Sequence, residues 1–118
     1  SYRFDELHFI SDDSGQTVGV VFLQVSDPYF WPEVTGADTL FLHKLAIDPA
    51  FVGCGYGAVA ISLITAEAKK RGLRWIRLDC DDRVPLHRFY TSAGFQLVDI
   101  NMIDEFRVAR YELSLNDK

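Results

Sequence analysis

Cysteine is scarce in this chain: 118 residues contain two, Cys54 and Cys80. A single pair with no further Cys or His set beside it fits neither a disulfide framework nor a zinc-ligand spacing. Both read as reduced thiols of a cytoplasmic protein, and no metal centre is expected. Basic charge is short as well. Twelve Lys and Arg face seventeen Asp and Glu, a net charge of −5. A nucleic-acid binder needs a basic face, so nucleic acid is not an expected partner. No stretch approaches the roughly 18 consecutive apolar residues of a membrane span. Nothing has the order of a signal peptide, and the sequence contains no internal repeat or low-complexity segment. These shortages leave a cytoplasmic protein with no membrane partner as the expectation.

What remains is ordinary for a globular domain, with 48% apolar and 25% charged residues. The length suits one domain with one core, and residues 1–118 are read as that domain. Nine Phe, five Tyr and two Trp point to a filled interior or an aromatic-lined pocket.

Hydrophobic period and turn residues divide the chain. Residues 7–10 and 17–25 read as strands joined by the turn Ser11-Asp12-Asp13-Ser14-Gly15. A loop over 26–38, broken by Pro28, Pro32 and Gly36, carries Tyr29, Phe30 and Trp31. Residues 40–47 read as a strand ended by Asp48-Pro49. A helix is expected over 55–71, nearly all apolar in its middle, with Lys69, Lys70 and Arg71 at its negative end and Gly72 as C-cap. Residues 74–80 alternate as a strand. A second helix over 84–93 has Pro85 in its first turn and Gly94 past its end. Its residues Leu86, Phe89, Tyr90 and Ala93 share one inward face. Two closing strands are expected over 95–102 and 105–115. This mixture, with hairpins at both ends, predicts an α+β fold with a mixed, mainly antiparallel sheet flanked by helices.

The most informative segment lies between the third strand and the first helix. Its glycines fall at Gly53, Gly55 and Gly57, and the apolar helical pattern starts at Ala58. Glycine lets backbone approach a ligand closely, and the first N–H groups of a helix have no intrahelical partners. A phosphate or pyrophosphate is the natural guest there. A nucleotide P-loop would need Lys and then Ser or Thr after the last glycine, where this chain has Ala58-Val59. The dinucleotide fingerprint Gly-x-Gly-x-x-Gly is not met either. A turn that merely lets the helix pack tightly is the other reading of the same glycines.

Three stretches together carry a resemblance: Leu45-Ala46-Ile47-Asp48-Pro49, Val52-Gly53-Cys54-Gly55-Tyr56-Gly57, and Phe89-Tyr90-Thr91-Ser92-Ala93-Gly94-Phe95. In order and spacing they resemble the central region of the GCN5-related N-acetyltransferases, covering Leu40 to Val98. The resemblance implies the acetyltransferase fold, here without its usual first strand and two helices, so the expectation is an N-terminally incomplete domain, either a piece of a longer protein or a trimmed fold. It implies acetyl-CoA as co-substrate and transfer of an acetyl group to a primary amine, small molecule or peptide, by direct attack. Val52, Gly53, Cys54, Gly55, Tyr56, Gly57 and Ala58 would hold the pyrophosphate, and Leu45, Ala46 and Ile47 the pantetheine arm. Val52 and Cys54 depart from the family pattern, which favours Arg or Gln at the first position and often a second basic residue at the other. A non-catalytic acyl-CoA-binding or regulatory module of the same fold is the alternative, and a homodimer is compatible with either.

Two residues are the candidates for chemistry. Tyr90 matches the family's general acid to the leaving thiolate, since a phenol with a pKa near 10 is protonated at neutral pH; otherwise it is a core aromatic. His43 matches a histidine that relays the amine proton in serotonin N-acetyltransferase, and its ordinary pKa near 6.5 suits a base; otherwise it is a structural histidine. Phe30 and Trp31 are expected to form either an aromatic wall for the acceptor, where a cation is favoured, or a hydrophobic plug. Asp79, Asp81 and Asp82 read as a cap for the second helix or as an attractor of a cationic amine. Arg83 reads as solvated or as a phosphate partner, and Cys54 has no adjacent His to make it a nucleophile.

Overall fold

Alternation along the strands decides which side chains meet the helices. The computed structural model describes residues 6–116. Its elements are β1 (Glu6–Ser11), β2 (Thr17–Gln24), β3 (Thr39–Ile47), α1 (Tyr56–Lys70), β4 (Trp75–Asp81), α2 (Val84–Ser92), β5 (Gln96–Ile103) and β6 (Phe106–Ser114). Each lies within a residue or two of its expected bounds. The short 3-10 turn Pro49–Phe51 was not foreseen; the Asp48 carboxylate caps it by accepting from the Ala50 amide at 2.9 Å.

The strands form one sheet in the order β1-β2-β3-β4-β6-β5. Neighbours are antiparallel except β3 and β4, which run parallel. One face of the sheet presents Val21, Leu23, Leu40, Leu42, Ile76, Leu78, Ala109 and Tyr111 to Ile61, Ile64 and Ala68 of α1 and to Tyr90 and Phe95 of the α2 region. Burying such side chains contributes about 1.5–3 kcal/mol each, so this layer is the core. Both helices therefore lie on the same side.

The residues between them in sequence point to the other face, which the loop 25–38 crosses. Trp31 is 1% exposed and sits beside Phe41, with the Arg110 guanidinium 4.4 Å from its ring centre. Arg110 donates to the Phe30 carbonyl at 3.0 Å and forms a two-pronged pair with Asp99 at 2.8 and 2.7 Å. It also reaches Glu33 at 2.9 Å. Arg110 thus latches the loop to the sheet from β6.

Two irregularities open a site. β3 carries a bulge: Phe22 pairs with His43 but Val20 with Ala46, so three steps on β3 face two on β2, and Lys44 takes φ +54°. A bulge bends its strand and re-aims the residues around it. The parallel pairing of β3 with β4 also stops early. It runs from Thr39↔Trp75 to Leu42↔Leu78, while β2 follows β3 to Ile47 and β6 follows β4 to Asp81. Beyond Leu42 and Leu78 the two central strands part.

Candidate active site

The gap between β3 and β4 leads into a cavity of about 570 Å³ that reaches both faces of the sheet. On the helix side its wall is Leu42, Leu45, Cys80, Leu86 and Tyr90. On the loop side it is Tyr29, Phe30, His43, Asp79 and Asp81, with Ile103, Asp104, Phe106 and Val108 of the β5–β6 hairpin. A ligand entering from one side can meet a ligand from the other only where the sheet is open.

A second recess of about 280 Å³ lies at the start of α1, lined by Ile47, Phe51, Val52, Gly53, Gly55, Tyr56, Gly57, Ala58 and Phe89. Gly55 is the N-cap of α1, with φ +84° and no side chain to satisfy the first turn. The first helical hydrogen bond is Val59 N–H to the Gly55 carbonyl at 3.2 Å. The amides before it lie in the positive end of the helix dipole, a setting that favours an anion. The expectation that the whole loop 52–58 turns its amides to one anion needs correction. The Val52 amide bonds the Pro49 carbonyl and the Cys54 amide the Phe51 carbonyl, both at 3.3 Å, because the unforeseen 3-10 turn continues into the loop. The cradle is thus narrower, drawn from Gly53, Gly55 and the first turn of α1.

The three glycines also have different reasons. Gly53 (φ +88°) and Gly55 need the left-handed conformation and have open space where a side chain would project. At Gly57 a Cβ would lie 2.9 Å from the Phe89 ring. Gly57 lets α1 and α2 pack, which is the tight-packing alternative realised at one of the three positions. Val52 is 70% exposed and Cys54 is an exposed free thiol, so neither offers a cation.

Tyr90 is 6% exposed and packs edge-on against Phe89 and Phe95 while lining the cavity. Burial, with Cys80 and Asp79 beside it, raises its phenol above the ordinary value, so the hydroxyl is a permanent donor. The neighbouring Cys80 thiol is pushed up to about 11 by burial and by nearby carboxylates, which leaves it inert at neutral pH.

His43 is not alone. Its Nε2 lies 3.2 Å from the Asp27 carboxylate, whose side chain is 6% exposed against 20% for the histidine. Asp27 is fixed in turn, accepting from the Phe30 amide at 3.1 Å through its other oxygen. Asp79 approaches from β4, so that one polar atom from each of Asp27, His43 and Asp79 lies within 4.8 Å of the other two. Burial pushes the Asp79 carboxyl up to about 6; His43 pulls it down, and Asp27 adds like-charge repulsion. This spacing suits a cation or a shared proton.

The structure separates Phe30 from Trp31. Phe30 lines the cavity, its ring 6.4 Å from that of His43. Trp31 does not line it: the loop turns it under, onto the sheet, and its indole N–H is buried with no acceptor among the described residues. It is the hydrophobic plug, and the expected aromatic wall consists of Tyr29 and Phe30 instead. The acidic cluster also divides. Asp82 does not cap α2, whose N-cap Arg83 makes no side-chain bond. Its carboxylate binds His87 at 2.7 Å and Arg107 at 2.9 Å, and His87 in turn bonds the buried Tyr111 hydroxyl. Of the pantetheine candidates, Leu45 lines the large cavity and Ile47 the loop recess; Ala46 lines neither and pairs with Val20. Asp27 had no local signal beyond an acid preceding Pro28. Asp79 did have one, since period-2 alternation turns it toward the same side as His43.

The sheet thus parts beside a helix start, with a phenol and a histidine along the gap. The Acetyltransferase (GNAT) family model matches residues 2–95, and the chain belongs to that family. It is similar to the [ribosomal protein bS18]-alanine N-acetyltransferase of Haemophilus influenzae, with 29% identity over 66 residues. That match covers 56% of this chain and 45% of the relative, so it spans less than half of the relative's length. The crystal structure of the ribosomal-protein-S18-alanine N-acetyltransferase from Escherichia coli superposes with a TM-score of 0.77 and 16% identity. The superposition covers all of this chain and 74% of the other. A Bacillus anthracis protein assigned as a streptothricin acetyltransferase, in complex with acetyl coenzyme A, superposes with a TM-score of 0.76 and 15% identity over 98% of this chain and 65% of that one. At these identities the superpositions establish the fold. Acetyltransferases of this family use acetyl-CoA as co-substrate. No helix among the described residues is long and apolar enough to cross a membrane.

Proposed function

We propose that this chain transfers an acetyl group from acetyl-CoA to a primary amine by direct attack. The observation that carries the proposal is the early end of the β3–β4 pairing, which makes one cavity accessible from both faces. The residues present fit the coenzyme. The start of α1 suits the diphosphate, and Leu45 and Ile47 lead from the loop to the gap.

When bound, acetyl-CoA supplies an activated carbonyl and a thiolate leaving group. The chain's own residues handle two protons. His43 takes one from the acceptor ammonium, which frees the lone pair that forms the C–N bond. The second leaves the nitrogen as the amide forms and ends on the sulfur once the C–S bond has broken. Tyr90 hydrogen-bonds that sulfur from its buried hydroxyl. Because burial raises the phenol above the ordinary value, its service is a hydrogen bond to the charge that develops there. Phe30 and Tyr29 flank the acceptor's path, and Asp79 provides negative charge at its end.

Calorimetry with acetyl-CoA tests the first step, and turnover on phenethylamine, spermidine and a peptide with an N-terminal alanine tests the second. Binding with turnover on at least one amine, reduced in Tyr90→Phe, is expected. Absence of coenzyme binding refutes the reading. The exposed Val52 and Cys54, which offer no cation to the phosphates, favour a second reading: a non-catalytic acyl-CoA-binding module of the same fold. Binding without turnover on any amine decides for it. The acyl chain length is tested by substituting propionyl-CoA and longer thioesters.

A further inference from the structure

We propose that Asp27 is a positioning residue for His43, and that Asp79 is the carboxylate that receives the acceptor's ammonium. The proton-accepting unit is then a three-residue centre assembled from the β2–β3 loop, β3 and β4. This inference rests on the amine-acetylation reading above and deepens it.

Three observations support it. Asp27 is one of two buried charged residues among those described, and its described ion-pair partner is His43. Its carboxylate is held between the Phe30 amide and His43 Nε2, an arrangement that fixes a ring and costs desolvation if it does nothing else. A carboxylate bonded to one imidazole nitrogen sets the tautomer: Nε2 carries the hydrogen, and Nδ1 is the nitrogen with the lone pair. Asp79 lines the same cavity from the opposite strand, on the side where Phe30 and Tyr29 stand. A carboxylate facing aromatic rings is the setting for an alkylammonium group.

The step balances. Asp79 holds R–NH3+ by charge. His43 Nδ1 takes one proton, and the imidazolium is stabilised by Asp27. The neutral amine then attacks, and the imidazolium later returns its proton to water. Among the described residues, Asp27 from the loop and Asp79 from β4 lie beside His43, and Tyr29, Lys44, Cys80, Asp81, Tyr90 and Asp104 line the same cavity.

The test compares the whole chain with Asp27→Asn, Asp27→Glu and Asp79→Asn. Asn keeps a carbonyl oxygen for the Phe30 amide, so the loop contact survives in Asp27→Asn. Imidazole nitrogen shifts are read by long-range proton–nitrogen NMR, with His43→Gln to assign the signal. Wild-type His43 is expected as the Nε2–H tautomer. Asp27→Asn turns an NH2 donor toward Nε2 and is expected to shift His43 to the Nδ1–H tautomer and to lower kcat at least about tenfold while the amine KM stays within about twofold. Asp27→Glu restores part of the loss. Asp79→Asn instead raises the amine KM about tenfold and leaves the tautomer unchanged. A wild-type Nδ1–H tautomer, or an Asp27→Asn variant with unaltered shifts and kcat, overturns the proposal. Loss of acetyl-CoA binding would instead refute the proposed function, and the NMR result would still judge the Asp27–His43 arrangement separately.

Discussion

Replacing Asp79 by Asn removes a charge that the fold disfavours, and the sign of the effect follows from its titration. The Asp79 carboxyl is raised from 3.8 to about 6, chiefly by burial. Below pH 3.8 it is protonated in both folded and unfolded chains and contributes nothing. Between the two values the folded chain binds the proton and the unfolded chain does not, so stability falls as pH rises. Above about pH 6 the loss is complete. The full shift corresponds to about 3 kcal/mol. Asp79 is only partly buried, and solvent screening trims this to about 1–2 kcal/mol. Asp79→Asn keeps the shape and removes the charge. It should therefore match the wild type near pH 4 and exceed it near pH 8, by roughly 4–8 °C in Tm. Thermal unfolding followed by circular dichroism across that range measures the difference. A variant less stable than wild type at pH 8, or a difference that does not change with pH, would show that burial does not dominate at this carboxylate. The same variant should acetylate poorly, as expected where a strained charge is kept for function.

Three further outcomes are expected. Arg110→Met removes the latch between β6 and the 25–38 loop and takes the Arg110 partner from Asp99 and Glu33; urea unfolding should show a loss of about 1.5–3 kcal/mol, with a higher amine KM as Phe30 loses one of its two anchors. Gly57→Ala drives a methyl into the Phe89 ring, and the overpacking cost of about 1–3 kcal/mol should shrink in the Gly57→Ala/Phe89→Leu double variant. An additive double variant would disprove the contact. Glu105→Gly relieves a non-glycine residue at φ +75° in the two-residue β5–β6 turn, where Asp104 also has φ +50°, and should raise stability by about 0.5–1 kcal/mol in the same assay.

Much of the site was legible from local pattern. The strand 39–47, the glycines that follow and the amphipathic helix bearing Tyr90 are each short-range features, and all three border the observed recesses. Misreadings arose where one residue's fate depended on a distant partner. Trp31 and Phe30 are adjacent in an aromatic loop, and only the Arg110 latch from the far end of the chain decides which is turned under. Asp82 sits where a helix cap belongs, yet His87 and Arg107 take its oxygens. The amides of Val52 and Cys54 are taken up by a 3-10 turn whose cue, Asp48-Pro49, is equally the signature of a strand end.

Sequence by itself determined the elements and their order, because hydrophobic period, turn residues and caps act over a few residues along the chain. It also determined that an open helix start follows β3, since Gly55 cannot cap with a side chain it does not have. Tertiary structure alone decided that β3 and β4 part after Leu42 and Leu78, and that Asp27, His43 and Asp79 meet at the parting. Those meetings depend on strand register and on which face each side chain takes. The register of β3 on β4 is settled by the packing of the sheet against its helices, because a helical crossover and no tight turn joins the two strands.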